Sequence, residues 1–83
     1  MAINAAVKES LVREYDICSK AIVYYEAQIK SFEKKHRMST RKFLKLFGDG
    51  KIGDEQDFFD WYSFNKLASE WARTKSALHA YAR

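Results

Sequence analysis

Apolar residues recur along the first 36 positions with a helical period. With 100° per residue and Cys18 as origin, Val7, Leu11, Tyr15, Cys18, Ile22, Tyr25, Ile29, Phe32 and His36 fall within an arc of roughly 100°. From Cys18 onward the spacing is 4-3-4-3-4, a heptad seam. The pattern predicts one helix over residues 2–36, about 50 Å long. A second apolar strip, Ile3, Ala6, Ile17, Ala21 and Tyr24, runs beside the first. One stripe needs one neighbour and two stripes need two, so the pattern predicts a helix inside a bundle.

A short second helix follows over 39–47. Ser39 is its predicted N-cap, since its hydroxyl can accept from a free N–H of the first turn. Met38 and Phe43 suit a hydrophobic staple across that cap, with Leu44, Leu46 and Phe47 completing the apolar side. Gly48 is expected to end the helix in the left-handed conformation. A turn anchored by Ile52 leads to a third helix over 54–82, with Asp54 as its expected N-cap. Glu55, Asp57 and Asp60 near the start of that helix, and Arg73, Lys75, His79 and Arg83 near its end, have the signs its dipole favours. Phe64, Trp71 and Leu78 mark its main stripe, flanked by Trp61, Leu67, Ala68, Tyr81 and Ala82. The expected architecture is all-α: a single domain, 1–83, forming a long antiparallel helical hairpin with a short helix at its tip. Its two stripes predict a homodimer in the form of a four-helix bundle.

The twelve residues Gly53–Phe64 hold four acids and five aromatics. On the wheel of the third helix, Phe58, Phe59 and Tyr62 point away from the main stripe, so either the short helix or a partner protein must cover them. Asp60 falls on the stripe and is expected to reach a base at the end of the first helix, His36, Lys35 or Arg37. Aromatics beside charge are the composition of a protein–protein hot spot, which makes Asp57, Phe58, Phe59, Asp60, Trp61 and Tyr62 the candidate partner-binding residues.

Composition narrows the function classes. The chain has 83 residues, no proline and only three glycines, Gly48, Gly50 and Gly53, so long helices are broken at one place only. Its single cysteine, Cys18, excludes an internal disulfide and fits a reducing, cytoplasmic setting. The N-terminus lacks the basic and apolar regions of a secretory signal, and no apolar run approaches the ~20 residues of a membrane span. Cys18 on the seam reads as a buried structural thiol, and Asp54, Asp57 and Asp60 read as dipole complements rather than metal ligands. His36 and His79 lie on different helices, and the glycine turn lacks a phosphate-binding spacing. No residue set supports an enzyme, a cofactor or a metal.

Net charge is +4, unevenly spread. Residues 30–51 carry eight Lys/Arg against Glu33 and Asp49, whereas 54–60 carry four acids and no base. Lys34, Lys35, Arg37, Arg41, Lys42 and Lys45 could contact phosphates, which gives a nucleic-acid-binding regulator using 34–51 as the alternative to a protein-binding module. No recognised DNA-binding motif accompanies them, and the neighbouring acids oppose phosphate. A third class is a self-associating structural or mobile-element accessory protein.

The stretch Arg37–Tyr62 resembles a family of small helical prokaryotic proteins found as antitoxins in two-gene toxin–antitoxin modules. The shared pattern is a Met-Ser cap (Met38, Ser39), Phe43 and Phe47, a Gly-x-x-Gly-Asp turn (Gly50, Gly53, Asp54) and an Asp-Phe-x-x-Trp helix start (Asp57, Phe58, Trp61). Two features depart from it: Arg37 stands where the family has a glycine, and Arg41 and Lys42 stand where it favours acids. The resemblance implies a protein that neutralises a cognate partner. The mechanism expected from it is occlusion, with the acidic, aromatic helix start docking as a phosphate mimic on a cationic site of a partner such as a nucleic-acid-cleaving toxin.

Overall fold

The computed structural model describes residues 4–82; Ile3, Arg83 and the side chain of Ala82 fall outside them. All elements among the described residues are helices: α1 (Ala5–His36), α2 (Thr40–Gly48) and α3 (Gln56–Ala82). α1 and α3 pack along their lengths as an antiparallel hairpin in a body 52 × 21 × 17 Å. The expected hairpin with a tip helix is therefore present.

The ends of α1 and α2 have local causes. Asn4 sets the start of α1, later than expected, by accepting a 2.9 Å hydrogen bond from the Val7 N–H. Ser39 caps α2 in the expected way, its hydroxyl accepting from the Lys42 N–H at 3.1 Å. Gly48 is not the residue that stops α2. It remains helical, and Gly50 turns left-handed instead, at φ 66°. The Lys51 N–H then reaches the Leu46 carbonyl (2.9 Å) and the Gly50 N–H the Phe47 carbonyl (3.2 Å), the bond pair of a Schellman end. α1 ends in a related way, with the Met38 N–H donating to the Glu33 carbonyl at 3.1 Å. There the left-handed residue is Arg37, at φ 53° and ψ 48°. The arginine thus takes the conformation that a glycine would adopt more cheaply.

Asp54 is not the residue from which α3 starts. The helix begins at Gln56, and the carbonyl of Glu55 accepts from the Phe58 N–H at 3.0 Å. The first turn is held by a tertiary contact of Asp57 with α1, described below, rather than by a local cap.

The core lies at the tip of the hairpin. Phe43, Phe58 and Trp61 are its buried members, with Ile29, Phe32, Met38, Leu44, Phe47 and Ile52 packed around them. Along the shaft the seam reads as expected: Leu11, Tyr15, Ile22, Tyr25, Ile29 and Phe32 are half-buried and Cys18 is buried. Val7 is exposed. In the second strip Ile17 and Tyr24 are 48% and 55% exposed, while Ala21 is half-buried.

Candidate functional site

The tip is built around Trp61. α3 projects its indole between α1 and α2, where it is fully buried. It stacks on Phe43 with ring centroids 4.1 Å apart and planes 4° from parallel, and on Phe32 at 5.9 Å. Its Nε1–H donates to the Thr40 hydroxyl at 3.0 Å. The backbone N–H of Thr40 donates in turn to the Glu33 carboxylate at 2.7 Å. Thr40 thus ties all three helices together, receiving α3 through its hydroxyl and holding α1 through its N–H. Neither Thr40 nor Glu33 stood out in the sequence. The available signal was a polar β-branched residue directly after the Ser39 cap, on the turn that faces a tryptophan.

Asp57, not Asp60, closes the hairpin electrostatically. Its Oδ2 lies 2.7 Å from Lys35 Nζ and 3.0 Å from His36 Nε2. A carboxylate can only accept, so His36 presents an N–H at Nε2. The hydrogen bond from Lys35, followed by that from His36, holds the Asp57 carboxyl below its ordinary range, and the same hydrogen bond raises Lys35. Asp60, expected to meet His36, Lys35 or Arg37, instead accepts from its own helix, from Gln56 Nε2 at 2.8 Å. On the wheel Asp60 falls on the α3 stripe, level with Leu78, and Asp57 continues it one heptad before Phe64. The end of α1 gives both Lys35 and His36 to Asp57, while the His36 ring lies over Trp61.

The other candidate residues separate into core and surface. Phe58 is 8% exposed, packed against His36 (5.0 Å between ring centroids) and Phe43 (5.9 Å). Together with Trp61 it is withdrawn from any partner, so α2 provides its cover. Phe59 and Tyr62 are 48% and 41% exposed. Each has one ring face supported by Phe47 of α2, edge-on at 5.8 Å for Phe59 and stacked at 4.8 Å for Tyr62. They form a rigid aromatic ledge with an open outer side.

The six basic candidates, Lys34, Lys35, Arg37, Arg41, Lys42 and Lys45, are all exposed. Among the described residues only Lys35 is ion-paired with another part of the fold. Arg41, Lys42 and Lys45 share one side of α2, three and four residues apart. Lys66 lies one turn beyond Tyr62 on α3. On the α2 wheel Arg41, Lys42 and Lys45 face away from Phe47, the residue beneath the ledge.

Among the described residues no cluster of His, Cys, Asp and Glu is placed to hold a metal ion. No helix among them is long and apolar enough to cross a membrane. No family model, curated protein or solved structure matches the chain, so its functional reading rests on its own residues.

Proposed function

We propose that the chain is a self-associating protein-interaction module, antitoxin-like in mode, that neutralises a cognate protein partner through its tip. The observation that carries this reading is the ledge of Phe59 and Tyr62: two large aromatics, each about half exposed, held rigid on Phe47. Pre-positioned aromatics lose little conformational freedom on binding, which is what makes such residues binding anchors. The acids contribute less than a phosphate mimic requires. Asp57 is neutralised internally by Lys35 and His36, and Asp60 is engaged by Gln56. The ledge itself suits an apolar pocket, and the exposed bases Arg41, Lys42 and Lys45 on the outer face of α2 favour approach by a partner with an acidic surface.

The test is capture and neutralisation of the protein encoded beside this chain. A Phe59→Ala/Tyr62→Ala double variant should lose both while keeping its helix content, since neither residue is in the core. Undiminished neutralisation by that variant would sink the reading. Nucleic-acid binding is the second reading, favoured by the unpaired exposed bases Lys34, Arg37, Arg41, Lys42 and Lys45. It requires salt-dependent gel shifts that a Lys34/Lys35/Arg41/Lys42 alanine variant abolishes.

A further inference from the structure

We infer that the face of the hairpin turned away from α2 is a two-fold interface with a second copy of this chain, in which α1 packs antiparallel on α1 and α3 antiparallel on α3. The inference rests on the self-association in the reading above and adds the face, the axis and the orientation.

The fold is one-sided. One edge of the hairpin is a groove lined by Glu26, Ile29 and Glu33 of α1 and by Asn65, Ala68 and Ala72 of α3, with Thr40 of α2 in it. That edge fixes the other. Around each wheel, on the opposite side of the seam, stand Ile17, Ala21 and Tyr24 of α1 and Leu67, Trp71 and Leu78 of α3. Ile17 and Tyr24 are about half exposed, and Leu67, Trp71 and Leu78 are half-buried. The bordering charges, Arg13 and Lys20 against Glu14 and Glu70, cancel, so nothing on this face selects a charged partner.

The arrangement of these residues selects a second copy. The midpoint of Ile17 and Tyr24 falls at Lys20–Ala21. The midpoint of Leu67 and Leu78 falls at Ala72–Arg73. Intrachain contacts place those two points side by side. Tyr15 stacks near His79 and Phe32 near Trp61, and counting inward by equal steps from either pair brings Ala21 level with Ala72–Arg73. A single axis perpendicular to the helices therefore sets Ile17 against Tyr24, Leu67 against Leu78 and Ala21 against Lys20, with the two copies of Ala21 within one residue of the axis. A foreign partner imposes no such symmetry, whereas an isologous interface requires it.

The area agrees. The chain exposes 6384 Å². A folded monomer of 9.7 kDa exposes about 5,100 Å² by the usual scaling with mass. The excess of about 1,300 Å² exceeds the roughly 800 Å² that each partner buries in a standard interface. The two tips then lie at opposite ends of the bundle, with both ledges outward.

The experiment is sedimentation equilibrium on the full chain, with disulfide trapping. The wild-type chain should have twice the 9.7 kDa monomer mass. Ile17→Glu/Tyr24→Glu should weaken association by at least about 100-fold, as expected of uncompensated charges in an interface, with helicity by circular dichroism unchanged. Ala21→Cys should cross-link under a mild oxidant because its copies lie beside the axis, and Val23→Cys, 67% exposed on another side of α1, should not. A dimer that survives the double variant with native helicity, or that cross-links through Val23→Cys and not Ala21→Cys, overturns this face and leaves self-association standing. A wild-type chain that stays monomeric at millimolar concentration overturns both. The Phe59→Ala/Tyr62→Ala chain should remain dimeric, which separates a failure of the ledge from a failure of this face.

Discussion

Thr40→Val tests whether the tip is closed. Valine keeps the β-branched shape and the backbone N–H that donates to Glu33, and removes only the hydroxyl oxygen that accepts from Trp61 Nε1 at 3.0 Å. The indole is fully buried, so water has no access to replace that oxygen. An unsatisfied buried donor costs about 1–3 kcal/mol, well above the net worth of an average hydrogen bond. In urea, where a chain this size loses about 1 kcal/mol per molar, the midpoint should fall by about 1–3 M at unchanged slope. Thr40→Ser keeps the oxygen and should cost about 1 kcal/mol or less, the value of one lost methyl. In a Trp61→Phe background, where no donor remains, Thr40→Val should be nearly neutral, leaving a coupling of about 1–2 kcal/mol between the two positions. All variants need comparison at one protein concentration, because a self-associating chain gains stability by mass action. A Thr40→Val midpoint within about 0.5 M of wild type would show that the indole N–H finds another partner. The role given to Thr40 would then be wrong.

Three further predictions concern the helix ends and the ion pair. Arg37→Gly should stabilise the fold by about 0.5–1 kcal/mol, since relief of the left-handed backbone outweighs the added freedom of the unfolded chain; a lower thermal midpoint would contradict this. Gly50→Ala should do the reverse at φ 66°, costing about 1 kcal/mol although the site has room for a methyl group; an unchanged midpoint would mean that the turn can rearrange. The depressed Asp57 carboxyl contributes stability above its ordinary value of 3.8, and that contribution is lost as pH falls through its lower folded value. Raised Lys35 contributes below 10.5 and loses its share as pH rises through its higher folded value. Asp57→Asn should therefore flatten stability at both pH extremes in denaturant titrations, and an acid limb as steep as that of wild type would count against it.

The sequence by itself determined what depends on neighbours a few residues away. The heptad spacing from Cys18 to His36 set the seam of α1, because a helix brings residues three and four apart onto one face whatever lies beyond it. Ser39 could be read as a cap because its hydroxyl serves an N–H three positions on. Even locally there was ambiguity: Gly48 and Gly50 were both able to turn left-handed, and the hydrogen bonds to Leu46 and Phe47 chose Gly50.

Tertiary structure decided everything that required two helices to be placed against each other. Asp57 and Asp60 share the same predicted stripe, and only the packing of α3 against the end of α1 delivers Lys35 and His36 to the first. Phe58 and Phe59 are adjacent in the chain and alike in chemistry, yet one is core and the other ledge. The position of α2 makes that division, with Phe43 covering Phe58 while Phe47 supports only one side of Phe59. Thr40 acquires its role for the same reason: a hydroxyl becomes structural only when a buried indole 21 residues later arrives beside it. Periodicity reports which face of a helix turns inward. Stagger along the axis and the placement of a third element are relations between elements, and they appear only once the chain has folded.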